Sequence, residues 1–311
     1  MTWFDSERRY KLLHEKHAVH RMVARATFEF WQRLGFHVAA DHFYDPIPNT
    51  NVIRRNYNRE ARCLPGFSVD WASFPEPACR LISAYFADYL EDRKAAGFDK
   101  DNYYFRALDA LYYYAFLRDR QPRRVVEIGQ GFSTRLALAA LARNVSLSGD
   151  RVELVSADPY PRLRVPPPGF DKVHLTTHLT PLQDIADTLP AMLAPGDLLF
   201  VDSSHVFKFG SDVQCLFERV YPRLAAGVRV HIHDIFTPFD YPWDWLVDRK
   251  QFWNEQYFVE SFLSFNEAFR IDMPLHYVSR TDAVREVVKA HGYWPEVEYS
   301  EATSLYLEKV R

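Results

Sequence analysis

From residue 122 onward the chain alternates at short intervals between apolar, β-branched runs and amphipathic stretches. "RRVVEIG" (123–129), "RVELVSADP" (151–159), "KVHLTTHL" (172–179), "GDLLFVDSSH" (196–205) and "GVRVHIHD" (227–234) read as strands. "STRLALAALARN" (133–144), "PLQDIADTLPAML" (181–193) and "SDVQCLFERVYPRLA" (211–225) read as helices. Strands this uniformly apolar are buried on both faces, and strand–helix alternation brings helices to both faces of a mostly parallel sheet. Near the end, "PLHYVS" (274–279) and "SLYLEKV" (304–310) read as two closing strands around the helix "DAVREVVKAHG" (282–292).

The first hundred residues have a different texture. Residues 5–34 predict one long helix, with Asp5 or Ser6 at its start and Gly35 at its end. A segment rich in Pro, Asn and Arg follows at 41–67, without periodicity; a loop of that length is usually functional or mobile. Helices are predicted at about 76–96 and 103–119. The expected organisation is a helical cap or dimer arm over 1–100 and an α/β core over 101–311.

Composition narrows the function classes. Of 311 residues, 48% are hydrophobic and 25% charged, enough for a filled core. The formal charge of −3 and the lack of a basic run exclude a nucleic-acid surface. Cys63, Cys79 and Cys215 show neither disulfide nor zinc spacing. No apolar stretch is long enough to span a bilayer, and no apolar run precedes the first charges. The expectation is a soluble cytoplasmic protein acting on a small molecule, with a homodimer through the N-terminal helices as the partner to look for.

In "VVEIGQGFSTRLA" a strand runs into Gly129 and Gly131 and then into a helix beginning near Ser133. Glycines here permit a tight turn and close backbone approach to a ligand over the sheet edge, a device that NAD, FAD and S-adenosylmethionine (SAM) sites share. The third position of a dinucleotide fingerprint is Thr134, which disfavours a nicotinamide oxidoreductase. Glu127, two residues before Gly129, would repel a pyrophosphate and suit the cationic end of SAM. Asp158, at the tip of the next strand, can accept two ribose hydroxyls.

At this point the chain resembles the class I SAM-dependent methyltransferases. "VVEIGQGFST" is similar to their first motif, "SADP" to their second, "DLLFVDSSH" to their fourth and "GVRVHIHDIF" to the strand that follows. "DSSHVFKFGSDV" with "HIHDIFTPFDYP" resembles a bacterial subgroup that modifies small metabolites and sugars. The resemblance covers about residues 105–311. It implies a Rossmann-like, seven-stranded sheet in the order 3-2-1-4-5-7-6 with the last strand antiparallel, SAM as cofactor, and O-methylation of a small acceptor. It also implies, more loosely, Asp184 beside the adenine. A SAM-binding subunit without chemistry is the alternative, which Asp202 and His205 argue against.

Ligands of open α/β sheets bind beyond the C-terminal strand ends. Asp202, His205, His233 and Asp234 all fall there, on two strands that the resemblance makes neighbours, about 4.8 Å apart. Two roles stand open. The four residues hold a divalent metal that acidifies the acceptor hydroxyl, or His205 or His233 acts as a general base beside Asp202. His231, deeper in its strand, is expected to be a buried, hydrogen-bonded support. Tyr241, Trp243 and Trp245 are expected as an aromatic wall.

Overall fold

The five apolar runs become strands β1 (Arg124–Ile128), β2 (Val152–Ala157), β3 (Val173–His178), β4 (Leu198–Val201) and β5 (Arg229–Ile232). With β6 (Phe269–Pro274) and β7 (Leu305–Lys309) they form one seven-stranded sheet, ordered β3-β2-β1-β4-β5-β7-β6. β7 runs antiparallel to both neighbours; the other pairings are parallel. This is the Rossmann-like α/β sheet that the resemblance implies. The computed structural model describes residues 3–98, 102, 104–161, 169–292 and 301–311.

Successive strand residues point to opposite faces, and each face has its own core. Val125, Leu154, Leu198 and Phe200 join one buried cluster. The adjacent Val126, Val155, Leu199 and Val201 join the other. The first is covered by α3 (Pro75–Ala95), α4 (Ala107–Arg120) and α5 (Phe132–Ser148), with Val284 and Val288 of a helix at Asp282–Ala290. The second is closed by the segments after β3 and β4 and by Val259 and Leu263 of a helix at Glu255–Leu263.

Several expectations shift. "PLHYVS" is not a strand: Leu275–Ser279 is a short helix, and the strand is the preceding "FRIDMP". That strand carries Arg270 and Asp272 at the sheet edge, so a search for apolar runs passes over it. "PLQDIADTLPAML" forms two short turns, Leu182–Ile185 and the 3₁₀ segment Leu189–Met192. "SDVQCLFERVYPRLA" starts as α-helix at Asp212–Cys215 and widens to a π-turn at Leu216–Val220 before Pro222. The helix expected from 103 begins at Ala107, and position 103 lies outside the described residues.

The chain divides into two compact units. One holds residues up to Arg59 together with Tyr241–Phe252; the other holds Glu60–Asp240 with Trp253–Arg311. The division thus falls near residue 59 rather than 100, because α3 packs against α4 and α5 within the sheet unit. In the first unit, the long helix α1 spans Trp3–Arg33, two residues ahead of its expected start. Within the expected loop 41–67, Thr50–Asn56 forms a helix, α2, whose N-cap Asn49 accepts from the Asn51 N–H at 2.8 Å. Tyr57 packs edge-on against Trp243 at 5.3 Å, and its hydroxyl donates to the Tyr241 carbonyl at 3.1 Å. Tyr241, Trp243 and Trp245 all belong to this unit.

Candidate functional site

The ladder continues past the ends of β1, β4 and β5 and fixes their tips. Gly129 N–H donates to Ala157 O at 3.1 Å, Asp202 N–H to Ile128 O at 2.9 Å, and His233 N–H to Val201 O at 2.9 Å. Gly129 has φ +85°, and a Cβ there would meet the Asp202 carbonyl oxygen at 1.9 Å. The glycine is therefore required by the close approach of two strand tips. A cavity of about 450 Å³ opens at this place, bordered by Gly129, Asp158, Leu182, Asp202 and Lys208.

Asp158 holds the cavity's loops together. Its Oδ2 accepts from the Gln130 N–H at 2.8 Å and its Oδ1 from the Tyr160 N–H at 2.6 Å. Each carboxylate oxygen retains a second lone pair for a ligand hydroxyl. Glu127 is placed otherwise than expected. It is fully buried, and its two oxygens accept from the Ser133 and Thr134 hydroxyls, each at 2.6 Å. Thr134 Oγ1 in turn accepts from the Gly131 N–H at 3.1 Å. Glu127, Ser133 and Thr134 thus shape the glycine loop from behind, and neither Glu127, Ser133 nor Gly131 borders the cavity. Burial pushes the Glu127 carboxyl up to about 8, although both hydroxyls favour its charge. Asp184 accepts from Thr180 Oγ1; its neighbours Leu182 and Gln183 border the cavity and Asp184 does not.

The two strand tips bring Asp202, His205, His233 and Asp234 together. His205 Nε2 stands 3.3 Å from Asp202 Oδ1 and 3.6 Å from Asp234 Oδ2. His233 Nδ1 stands 3.7 Å from Asp202 Oδ1 and 3.5 Å from Asp234 Oδ1. Asp202, His233 and Asp234 each offer a ligand atom within 4.8 Å of the others. His205 is the member outside that trio: its Nδ1 is engaged by the buried Glu255 at 2.9 Å, and its ring lies against Trp253 at 4.2 Å. Both His205 and Asp234 adopt positive φ, 58° and 59°, a costly conformation for side-chain-bearing residues and one that tends to occur at functional sites.

The electrostatics of the cluster favour positive charge. Burial alone would keep His205 neutral, but Asp202 and Glu255 outweigh it and raise its pKa to about 10. Burial likewise opposes charge on His233, yet Asp234 and Asp202 raise its pKa well above the usual range. Burial also opposes charge on Asp202, but His233 and His205 hold its carboxyl far below the usual range. A nest of carboxylates that draws protons onto two buried imidazoles would also attract a cation. His233 Nδ1 is buried without a hydrogen-bond partner, which suits a metal ligand.

His231 behaves as expected: fully buried, its Nε2 lies 2.8 Å from Ser304 Oγ, and burial lowers its pKa well below the usual range. Sequence reasoning did not find Glu255, Trp253, Lys208 or Asp109. Trp253 and Glu255 lie in a loop and at a helix start without a motif, and Lys208 lies inside the quoted "DSSHVFKFGSDV" but was not singled out there. Asp109 sits inside a helical pattern, where a buried carboxylate carries no spacing signal.

Residues 126–235 match a family model described as a methyltransferase domain. An uncharacterized protein of Archaeoglobus fulgidus is 32% identical over an alignment of 142 positions that covers 39% of this chain and 57% of that relative's length. Among solved structures, a SAH-bound methyltransferase of Podospora anserina is 16% identical with a TM-score of 0.35, covering 79% of this chain and 99% of that one. An O-methyltransferase of Bacillus cereus in complex with SAH is 15% identical with a TM-score of 0.34, over 73% of this chain and 91% of that one. No helix among the described residues is long and apolar enough to cross a membrane.

Proposed function

We propose that this chain, whose residues 126–235 match a methyltransferase-domain family model, is a class I SAM-dependent enzyme that transfers a methyl group from SAM to a hydroxyl of a small polar acceptor with the help of a divalent metal ion. The observation that carries the reading is the position of Asp202. It borders the glycine-loop cavity and also belongs to the His/Asp cluster, so one residue joins the cofactor site to the acceptor site.

When bound, SAM supplies an electrophilic methyl group, and the metal supplies a Lewis acid that lowers the pKa of the acceptor hydroxyl. The chain supplies position. Asp158 offers lone pairs to the ribose hydroxyls, and Glu127 holds the loop through Ser133 and Thr134. Asp202, Asp234 and His233 Nδ1 are the metal's donor set, and a mixed imidazole and carboxylate set suits a transition ion as well as Mg²⁺. His205, clamped by Glu255, sets a charged donor against Asp202 and Asp234 and keeps their oxygens in place. In-line transfer then needs little beyond alignment and loss of one proton.

Chelation tests this. Turnover of an acceptor hydroxyl should vanish in EDTA and return with an added divalent ion. Turnover indifferent to EDTA, in protein free of metal by elemental analysis, would instead assign His233 Nδ1 as the base. The acceptor belongs to the small polar metabolites or sugars. The α1 helix is read as the arm of a homodimer, since Val19, Met22, Val23 and Phe30 lie on one stripe of it and are exposed.

A further inference from the structure

One buried carboxylate is connected to His231 of β5 and to His233 just beyond its end. Asp109, on α4, accepts the Thr303 N–H on its two oxygens at 3.1 and 3.0 Å. Its Oδ1 also accepts from Ser304 Oγ at 2.5 Å. Ser304 Oγ lies 2.8 Å from His231 Nε2. Thr303 Oγ1 lies 3.2 Å from His233 Nε2 and 3.5 Å from Asp109 Oδ2. The contacts form one continuous series, His231–Ser304–Asp109–Thr303–His233. Asp109, Ser304, His231 and His233 are each at most 3% exposed, and Thr303 is half-buried.

The direction of each hydrogen bond follows from what each group can donate. A peptide N–H only donates, so Asp109 is the acceptor towards Thr303. With both oxygens accepting, Asp109 acts here as a carboxylate, and the two hydroxyls direct their single protons to it. Their remaining lone pairs face the imidazoles, so each histidine must donate from Nε2. The opposite nitrogens fit this: Nδ1 of His231 and Nδ1 of His233 are both buried without a hydrogen-bond partner. For His231 that leaves a neutral ring packed on Phe200 and Tyr306, with centroids at 4.6 and 4.1 Å. For His233 it leaves Nδ1 beside Asp202 and Asp234.

We propose that Asp109 is a positioning residue for the site: through Thr303 it fixes a proton on His233 Nε2 and so reserves Nδ1 for the metal, while the Ser304–His231 branch holds its other oxygen in place. The metal part rests on the reading of the site as a metal-assisted centre; the nitrogen assignment does not depend on it. Carboxylates that orient a metal-bound histidine through its second nitrogen act in this way, and their loss usually costs about 10–100-fold in metal affinity.

The test is nitrogen NMR on protein labelled with ¹⁵N-histidine, with His233 identified by the resonance lost in His233→Gln. In the unsubstituted protein, His233 Nε2 should carry a proton that persists when Zn²⁺ is added, and Zn²⁺ should move the Nδ1 resonance. Thr303→Val removes only the linking hydroxyl, and Thr303→Ser restores it. Thr303→Val and Asp109→Asn should let Zn²⁺ displace the proton from either ring nitrogen of His233 and weaken Zn²⁺ binding about 10–100-fold, with SAM affinity unchanged, and Thr303→Ser should resemble the parent. A His233 protonated on Nδ1 with Nε2 bare in the unsubstituted protein overturns the proposal, whether or not the variants fold. So does a Thr303→Val protein with unchanged resonances and Zn²⁺ affinity. Absence of Zn²⁺ binding in the parent would sink the metal reading, and the Nε2 resonance would still decide the hydrogen-bond direction.

Discussion

Two carboxylates near the glycine loop show how much depends on which way a side chain turns. Asp158 follows the last residue of β2 and Glu127 is the penultimate residue of β1, paired with Ser156, and both read as cofactor ligands from their spacing. The sheet separates them: Asp158 borders the cavity, whereas Glu127 turns into the core and bonds the first two hydroxyls of α5. Asp158→Ala should therefore weaken SAM binding by roughly 1.5–3 kcal/mol, the loss of two charge-assisted hydrogen bonds. Calorimetry showing unchanged affinity in a folded variant would remove Asp158 from the cofactor site. Glu127 should appear in stability instead. Its folded-state pKa is raised to about 8 by burial. The folded state thus holds this proton more tightly than the unfolded chain does. The associated stability is complete below about pH 4 and is lost as pH rises through about 8. Glu127→Gln keeps the shape and removes the titration. Urea unfolding of the two proteins should diverge between about pH 5 and pH 8.5 by a few kcal/mol, because each tenfold difference in proton affinity is worth about 1.4 kcal/mol, the parent losing more. Parallel pH profiles would contradict the burial argument.

Among elements, the tips of β4 and β5 matter most. Parallel pairing with Phe200 opposite His231 and Val201 opposite Ile232 places Asp202 next to His233. Residues that share one task should not add. His233→Ala and Asp202→Ala are each expected to reduce turnover by at least about 10²-fold, the size of base or metal assistance. The double variant should be scarcely worse than either single one. Near-normal turnover in both single variants would move acceptor chemistry elsewhere in the molecule. The strand ends were legible because apolar runs closing on Gly, Asp or His are distinctive. The edge strand β6 was not, since Arg270 and Asp272 interrupt its apolar residues where the sheet meets solvent, and the apolar stretch after it proved helical. The segments after β3 and β4 looked like single helices for a similar reason. Periodicity records which face is apolar, but not that the α-helical turns stop at Ile185 and Cys215.

At the scale of the whole molecule, the sheet unit carries its own two cores. A protein starting at Glu60 should therefore keep cooperative unfolding and SAM binding within a few-fold, while losing the self-association assigned to α1. Light scattering and calorimetry on the truncated protein check both, and a loss of SAM binding would show that the first unit is needed for the cofactor site. The sequence by itself determined the α/β class, the strand order implied by its motifs and the strand ends where chemistry gathers, because hydrophobic period and turn residues act over a few neighbours. Only the tertiary structure decided that Glu127 faces inward, that Glu255 clamps His205, and that Asp109 reaches His231 and His233 through Ser304 and Thr303, nearly two hundred positions away in the chain. A buried carboxylate is stable only with partners, and those partners come from whichever elements the packing brings alongside it.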